Sequence, residues 1–398
     1  MRVLFIDTVG EIGGAQRSLA ELAGALSARG VLCQAAVPAG PLSEALLAVG
    51  VTVRRIPAVR LYRGWRWRKV TGLMHLAVGV PMLARVSRAA RPDVLHANGL
   101  TAALLANAVW QKRPVIWHVR DLNMPFGAVR RVGRRVACAV AISESVEERV
   151  CEMMPAFCRG RVRLVRNGID TRHFQPGDRA AARRALGLPA DAPLVGMVAH
   201  LSPWKRHDQF LSIAAHIRET RPGVRFVLAA RDLFGEHQPL RARLEAQIAS
   251  LGLAEALTWL PDDFGDPATL YHALDVLVHP TADEPFGRVL CEAMASERPV
   301  VAANAAGPGS NVPTDVAGFL VTPGRIDLFA QQTLRLLDNP EQARRMGQAG
   351  RRHVVAKFDI ARTAAEMQAL YADVLARVAR DRAKVEVRAP KHSEDDDE

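Results

Sequence analysis

The stretch Glu284-Pro285-Phe286-Gly287-Arg288-Val289-Leu290-Cys291-Glu292-Ala293-Met294-Ala295 follows the apolar run Val276-Leu277-Val278 and a short loop. This order predicts a strand, a loop and a helix that continues to Glu297. Pro285 and Gly287 suit the beginning of a helix. The first N–H groups of a helix lack partners within it and its N-terminus is partly positive, so a diphosphate would bind favourably there.

Two carboxylates flank this predicted phosphate site. Glu284 lies in the loop, and Glu292, eight residues later, lies more than one turn into the helix and near the same face. Carboxylate oxygens accept hydrogen bonds from the vicinal hydroxyls of a sugar or ribose. The alternative is structural, with Glu284 improving a helix terminus and Glu292 on a solvated face.

An E-x7-E pattern with an internal Phe286-Gly287, after a strand and before Pro299-Val300-Val301, resembles the signature of the family 4 glycosyltransferases, the glycosyl transferases group 1. The resemblance implies a retaining enzyme of the GT-B fold. That fold has two doubly wound, Rossmann-like α/β domains facing a central cleft, and a C-terminal helix that crosses back to the first domain.

The resemblance also implies roles for this stretch. Glu284 would hold sugar hydroxyls near the reacting carbon, as a catalytic residue, and Glu292 would hold the ribose. The remaining donor-binding residues predicted here are Phe286, Gly287 and Arg288.

Composition fits two globular domains. The chain has 398 residues, too many for one ordinary core, and 49% of them are hydrophobic. Five cysteines without C-x2-C pairing predict neither a disulfide framework nor a zinc site. The N-terminus becomes charged at Asp7, before a signal peptide could form, and the apolar run 73–84 is shorter than the roughly 20 residues of a membrane span. We therefore expect a cytoplasmic protein without a transmembrane segment.

Alternation of strand and helix patterns divides the chain into four parts. By the resemblance, residues 1–175 form the N-terminal, acceptor-side domain and residues 176–358 the C-terminal, nucleotide-sugar donor domain. The resemblance also implies that residues 359–383 return to the first domain as a helix. Residues 384–398, which end in acidic side chains, are predicted to be disordered.

A glycine pair follows the first strand. Gly13 and Gly14 open a helical pattern, but the G-x-G-x-x-G spacing of a dinucleotide site is absent and segment 31–38 ends without an acid, so NAD is not expected. By the resemblance, both glycines lie between the donor phosphate and the acceptor. The alternative is an ordinary turn that requires glycine.

Segments 92–99 and 114–121 each resemble a parallel strand whose carboxyl end carries polar residues, where ligands bind in open α/β sheets. By the resemblance, His118 is a catalytic residue beside the transferred sugar. A buried histidine with its hydrogen bonds satisfied in the core is the alternative.

A new strand at 194–199 leads to the predicted phosphate-binding cations. Lys205 matches the family's lysine, which reaches the donor diphosphate and acts in catalysis, but His200 stands where the family has arginine. A neutral imidazole lacks the fixed charge and forked geometry of a guanidinium. Arg206, where glycine is common in the family, is the predicted replacement cation, so His200, Lys205 and Arg206 are all assigned to the donor site.

Two further positions bear on the donor site. Ser310 stands where the family carries a glutamate, and the pair Asp262-Asp263 lacks the D-x-D spacing of a metal site. We therefore expect no metal and no cofactor other than the nucleotide sugar as co-substrate.

The net charge of +12 predicts an anionic partner: nucleic acid, anionic lipid or a phosphorylated small molecule. Seven basic residues between Arg54 and Lys69 surround Tyr62, Trp65 and Trp67, ahead of an apolar run. This pattern fits a peripheral contact with an anionic membrane, at the inner face, or a solvated arginine-rich helix. No nucleic-acid-binding motif accompanies the charge, so nucleic acid is not expected.

The predicted function is a metal-independent, retaining transfer of sugar from a nucleotide-diphosphate sugar to an unidentified acceptor, which is a glycan, a lipid-linked acceptor or a small molecule. Two alternatives remain at this point. One is a non-catalytic GT-B protein that binds a nucleotide sugar, which the departures at His200 and Ser310 would suit. The other is a sugar-nucleotide epimerase, which would isomerise its donor.

Overall fold

The computed structural model describes residues 1–59, 66–109 and 113–388, with the backbone alone for 66–74, 382 and 384–388. Two parallel sheets organise these residues, seven-stranded in the first domain and six-stranded in the second. Both consist of apolar strands that alternate with helices, and most strand residues are buried because helices cover both faces.

The first sheet has the order β3-β2-β1-β4-β5-β6-β7. Its strands are β1 (Arg2–Ile6), β2 (Leu32–Val37), β3 (Thr52–Arg55), β4 (Val94–Asn98), β5 (Val115–Val119), β6 (Cys138–Ala141) and β7 (Val162–Leu164). Its helices are α1 (Gly14–Ala28), α2 (Pro41–Ala48), α3 (Arg66–Ala90), α4 (Leu100–Ala108), α5 (Phe126–Gly133) and α6 (Glu144–Met153).

The second sheet has the order β10-β9-β8-β11-β12-β13. Its strands are β8 (Leu194–Val198), β9 (Arg225–Ala229), β10 (Leu257–Trp259), β11 (Val276–His279), β12 (Val300–Ala303) and β13 (Gly318–Val321). The helices are α7 (Arg179–Ala185), α8 (His207–Thr220), α9 (Gln238–Ser250), α10 (Pro267–Ala273), α11 (Arg288–Ala295), α12 (Ala306–Asn311), α13 (Ile326–Asp338), α14 (Pro340–Phe358) and α15 (Ile360–Arg388).

Helix α15 returns to the first domain, as the fold prediction required. It packs along α1, and Ala364, Met367, Tyr371 and Val374 are buried in the core of that domain. The chain crosses back where the backbone of Ile169 bonds to Phe358 and Ile360.

One boundary needs correction. Residues 384–388, predicted to belong to a disordered tail, continue α15 to Arg388. Extending an existing helix adds one hydrogen bond for each residue fixed, so charge alone does not end it. Residues 389–398 lie outside the described chain.

The predicted membrane-contact segment falls largely outside the described residues. Tyr62 and Trp65 are not described, and Trp67 is described only as backbone near the start of α3. Across the described ranges, no helix is both long and apolar enough to cross a bilayer.

Candidate active site

A cleft of about 640 Å³ lies between the domains, at the carboxyl ends of both sheets. Strand order reverses between β1 and β4 in the first sheet and between β8 and β11 in the second, and such reversals open crevices for ligands. The predicted site residues that line the cleft are Gly13, Gly14, His200, Lys205, Glu284, Phe286, Gly287, Arg288 and Glu292.

The loop from β11 to α11 is fixed by its own hydrogen bonds. Gly287 precedes the first helical residue with φ +83°, a left-handed conformation that glycine adopts without strain. Its N–H donates to Glu284 Oε1 at 3.3 Å. The Phe286 ring is buried beside Phe358, so this residue offers mainly backbone to the cleft.

Helix α12 holds the same loop from the other side. The N–H of Gly307 donates to the Glu284 carbonyl at 2.9 Å, and Asn311 Nδ2 donates to the Phe286 carbonyl at 2.7 Å. A β-carbon at Gly307 would lie 2.5 Å from the Phe286 Cα, so only glycine permits this approach. The loop is therefore held rigidly at the start of α11.

A buried ion pair joins two predicted catalytic residues. Lys205 Nζ lies 2.5 Å from Glu284 Oε2, and His279 Nε2 lies 3.3 Å from the same oxygen. Burial alone would raise the pKa of Glu284, but the Lys205 charge and the His279 contact outweigh it and hold this pKa well below its usual range. Burial lowers the pKa of His279. Glu284 is thus a carboxylate at neutral pH.

The His200 imidazole is neutral at pH 7. Burial and the nearby Lys205 charge lower its pKa to about 4. Its ring lies 5.5 Å from the ring of Trp204, over which Lys205 Nζ sits at 3.9 Å from the centroid. His200 therefore adds hydrogen-bonding capacity but no charge to the cleft wall.

Arg206, assigned to the donor site from the sequence, lies directly before α8. Its side chain is exposed and does not line the cleft. The residue has φ +59°, a left-handed conformation that glycine adopts most readily, and it caps α8. Arg206 therefore serves the turn before α8, and Lys205 is the basic residue of this segment whose side chain lines the cleft.

Arg288 connects the two domains. Its Nη2 lies 2.9 and 3.0 Å from the Glu21 carboxylate of α1 and 3.0 Å from Glu292 Oε1, and its Nη1 donates to the Gly168 carbonyl at 3.1 Å. Burial opposes its charge, but Glu21 and Glu292 raise its pKa further above the usual value. The second oxygen of Glu292 accepts from Tyr271 Oη at 2.8 Å. Glu292 therefore sits in a fixed orientation at the cleft wall.

The glycine pair lies where the domains come close. The N–H of Gly13 donates to Gln16 Oε1 at 3.3 Å as α1 begins. A β-carbon at Gly13 would lie 3.4 Å from Leu233 of the second domain, and one at Gly14 would lie 3.8 Å from the Arg288 side chain. Both positions thus line the narrow part of the cleft.

The structure places His118, assigned to the cleft from the sequence, inside the first sheet. His118 is 1% exposed, pairs with Asn98 and Val140 inside the sheet, and does not line the cleft. Burial and the adjacent Arg120 lower its pKa well below the usual range. Arg120, the first residue beyond β5, lines the cleft instead.

A polar network missed by the sequence analysis surrounds Arg120. Its guanidinium donates to Asn98 Oδ1 at 2.7 Å, Ser18 Oγ at 3.1 Å and Asn167 Oδ1 at 2.5 Å. Asn98 Nδ2 in turn donates to Asp7 Oδ2 at 2.6 Å. Burial raises the pKa of Asp7. The sequence did carry a signal for this network, because Asp7, Asn98 and Arg120 each lie at or directly after the end of a strand in the first sheet.

Two remaining positions add no group to the cleft. Ser310 is exposed, its Oγ donates to the Gly307 carbonyl at 3.1 Å, and it does not line the cleft. Within the described ranges, no group of three or more His, Cys, Asp or Glu side chains could hold a metal ion. Transfer without a metal remains a prediction.

Comparison with known proteins relates both halves of the chain to one group of enzymes. The family model described as Glycosyl transferases group 1 matches residues 178–353, and the one described as Glycosyltransferase Family 4 matches residues 12–173. A D-inositol 3-phosphate glycosyltransferase of Acidothermus cellulolyticus is 30% identical over 362 residues, covering 84% of this chain and 80% of that protein. The corresponding protein of Saccharomonospora viridis is 33% identical over 219 residues, covering 54% and 51%. The chain thus spans about half the length of the first curated relatives it matches.

Solved structures match the whole fold. HepE from Anabaena, solved in complex with UDP and glucose, has a TM-score of 0.79 at 25% identity, covering 94% of this chain and 99% of that one. Sucrose-phosphate synthase from Thermosynechococcus elongatus has a TM-score of 0.79 at 21% identity, covering 95% and 100%. The predicted fold of two facing Rossmann-like domains is confirmed.

Proposed function

Because this chain belongs to the family 4 glycosyltransferases, the glycosyl transferases group 1, we propose that it moves a sugar from a nucleotide-diphosphate sugar to an acceptor hydroxyl with retention of anomeric configuration. The observation that carries this proposal is the buried Lys205–Glu284 pair beside the N-terminus of α11 in the cleft. The complex of HepE with UDP and glucose supports a nucleotide-sugar donor.

The leaving diphosphate is stabilised by Lys205 and by the first N–H groups of α11. An ammonium group has three N–H donors, and the contact with Glu284 uses one of them, so two remain for phosphate oxygens. As the bond between anomeric carbon and phosphate oxygen breaks, negative charge develops on the diphosphate beside these fixed donors. Such preorganised electrostatic stabilisation is the main catalytic contribution.

The acceptor oxygen bonds to the anomeric carbon on the face that the diphosphate leaves, and the acceptor proton passes to the departing phosphate oxygen. No protein base is required for this step. Glu284, ionised and held by Lys205, accepts hydrogen bonds from sugar hydroxyls near the reacting carbon. Glu292 accepts from the ribose with the capacity left beside Tyr271 and Arg288.

We expect the reaction to need no metal, since Lys205 and the helix N-terminus would supply the positive charge. Transfer should persist in excess EDTA. Loss of activity in EDTA that Mg²⁺ or Mn²⁺ restores would contradict this part of the proposal.

The test of the proposed function is a screen of nucleotide sugars by thermal shift, followed by transfer assays with the donors that raise the melting temperature. UDP-sugars are the first donors, and D-inositol 3-phosphate, the acceptor named for the relatives, is the first acceptor. The anomeric configuration of the product is read by NMR. Product with the inverted configuration would overturn the retaining mechanism.

Binding without transfer is a second candidate, which the neutral His200 favours because a fixed charge is missing beside the donor phosphates. Calorimetry with UDP-sugars and a donor-hydrolysis assay separate the two functions. Tight binding with no consumption of donor across donors and acceptors would favour the second candidate.

The acceptor class remains a glycan, a lipid-linked acceptor or a small molecule, and we propose peripheral contact with an anionic membrane through the basic segment around Trp65 and Trp67. Vesicles containing anionic lipid should sediment the protein at low salt, and neutral vesicles should not. Equal sedimentation with Trp65→Ser/Trp67→Ser would place any membrane contact elsewhere.

A further inference from the structure

We propose that Arg120 forms an anion subsite on the N-terminal wall of the cleft and binds a phosphate or carboxylate group of the acceptor. This inference rests on the proposed function, since it assigns chemistry to the acceptor of the same reaction. It differs from the donor site, whose groups Lys205, Glu284 and Glu292 come from the opposite domain.

Arg120 lies on the wall of the cleft, and its side chain is largely shielded from solvent. It follows β5 directly, lines the cleft and is 6% exposed. The guanidinium is thus withdrawn from bulk water, where an ionic contact with a ligand is stronger than at a surface.

The hydrogen-bond partners of Arg120 are all neutral. Within the described part of the chain they are Asn98, Ser18, Asn167 and His118, the last with its Nδ1 at 3.2 Å from Nη2. Burial and the Arg288 charge lower the pKa of Arg120, while the carboxylates of Asp7 and Asp121, which also line the cleft, oppose that shift. A buried charge without a bonded counter-charge is costly, and an anionic ligand would offset that cost.

One donor remains for such a ligand. Of the five N–H groups in a guanidinium, the contacts of Nε, Nη1 and Nη2 use four and leave one on Nη2. Three neutral oxygens meanwhile fix the plane of the group, so it is preorganised for a ligand entering from the cleft.

In the hydrogen bonds behind Arg120, the donor and the acceptor of each bond are also fixed. Arginine only donates, so His118 Nδ1 must accept and carry no proton. His96 Nε2, at 2.9 Å from that nitrogen, must then donate, and His96 Nδ1 accepts from Tyr371 Oη at 2.7 Å. His118, inside the sheet, and Tyr371, on α15, are therefore positioning residues. His118 contacts Arg120 directly, and Tyr371 acts on it through His96 and His118.

His96, His118 and Arg120 keep their charge states near neutral pH. Burial and Arg120 lower the pKa of His96 to about 3, and His118 is likewise neutral. Burial and Arg288 lower the pKa of Arg120 to about 9, so the guanidinium stays protonated at pH 7. Arg120 therefore stays a cation at pH 7, and its hydrogen-bond partners among the described residues carry no charge.

The binding experiment uses UDP and inorganic phosphate as probes and does not require transfer. Calorimetry on the wild type should show UDP binding and, with UDP bound, a second site for phosphate. In Arg120→Gln the phosphate affinity should fall about tenfold or more, the value of one charge-assisted contact, while UDP affinity stays within about twofold. Arg344→Gln, an exposed arginine on α14, is the matched control and should match the wild type.

The outcomes of this experiment distinguish a separate anion site at Arg120 from a contact between Arg120 and the donor diphosphate. A tenfold loss of UDP affinity in Arg120→Gln would place the guanidinium on the donor diphosphate and overturn the proposal. Unchanged phosphate affinity would overturn it as well. If no nucleotide sugar binds the wild type, the proposed function fails. Normal binding of the nucleotide without a second phosphate site contradicts the subsite alone.

Two measurements keep the proposal testable if Arg120→Gln does not fold. Tungstate soaked into crystals of the wild-type UDP complex should give density beside Arg120, and density only elsewhere contradicts the proposal. Tyr371→Phe should raise the KM for D-inositol 3-phosphate several-fold with little change in the KM for the donor. An equal rise in both would assign Tyr371 a general structural role.

Discussion

Among single residues, Glu284 has the most specific predicted effect. Glu284→Gln preserves the size of the side chain but removes the charge that faces Lys205 and the sugar hydroxyls. We expect turnover to fall by about 10², a typical loss for one preorganised electrostatic contact. Initial rates at saturating donor measure it, and melting temperature reports whether the variant folds.

Glu219→Gln is the matched control, because Glu219 is exposed on α8. Its turnover should match that of the wild type. Full activity in Glu284→Gln would exclude the carboxylate charge from the mechanism.

His200 tests the cost of replacing the family's arginine. A neutral imidazole contributes no charge to the diphosphate, so His200→Arg should tighten UDP binding by up to about tenfold. Repulsion from Lys205 opposes part of this gain. Calorimetry at low and high salt measures it, and a weaker Kd at both would show that this wall has no room for a guanidinium.

The residue assignments show how far a pattern determines a site. Lys205 and Glu284 were predictable because a lysine after a strand, and an E-x7-E that runs from a loop into a helix, place both at the cleft. His118 and Arg120 lie two positions apart, strand β5 ends between them at Val119, and Arg120 is the one that lines the cleft. Hydrophobic patterns locate strand ends to within a few residues, so the sequence could not make that choice.

At the scale of elements, the approach of α12 to the catalytic loop gives a prediction with a matched pair. Gly307→Ala would place a methyl group 2.5 Å from the Phe286 Cα and push the loop away from the start of α11. We expect a loss of about 1–3 kcal/mol in stability and at least about a tenfold loss in turnover.

Gly309→Ala is the control on the same helix, because its methyl group would meet nothing closer than Asn304 Oδ1 at 3.4 Å. It should retain activity and melting temperature. Similar losses in both variants would mean that α12 tolerates no side chain at either position, and that the loop contact is not the cause.

The elements themselves were largely predictable, since apolar runs alternating with amphipathic patterns indicate parallel sheets covered by helices. The closure of the loop by Gly307 was not, because it depends on a contact between segments that are separate in the sequence. The end of α15 was also misjudged at Lys384, where composition suggested a tail but the helix continues.

For the whole molecule, contacts between domains fix the cleft. Arg288 reaches Glu21 of α1, and Ser143 Oγ donates to the Pro285 carbonyl at 2.6 Å, so the loop before α11 is tied to the first domain. Helix α15 adds Tyr371 to the network behind Arg120. The walls from the two domains therefore act as one site. Loss of the Arg288–Glu21 contact or of the Ser143–Pro285 contact should weaken donor binding as well as stability.

Acid stability is a property of both domains together. Burial lowers the pKa of His96 and of His207 to about 3 and that of His200 to about 4, and His118 follows the same direction. In the unfolded chain each has a pKa of about 6.5. Between these values the unfolded state binds more protons, so stability falls as pH falls, by about 1.4 kcal/mol per pH unit for each histidine. Glu284 adds a loss only at lower pH, below its unfolded value of 4.5, because its pKa is lowered on folding.

His207→Gln isolates one of these contributions, since the buried side chain loses its titration while the fold keeps a polar group of similar size. We expect the melting temperature of the wild type to fall steeply from pH 6.5 to pH 5, and the fall in His207→Gln to be smaller by about 3 °C per pH unit. His216→Gln, an exposed position on the same helix, should follow the wild type. Calorimetric scans across this range measure all three proteins. Parallel curves for His207→Gln and the wild type would mean that His207 is already protonated in the folded protein, contrary to its burial at the start of α8.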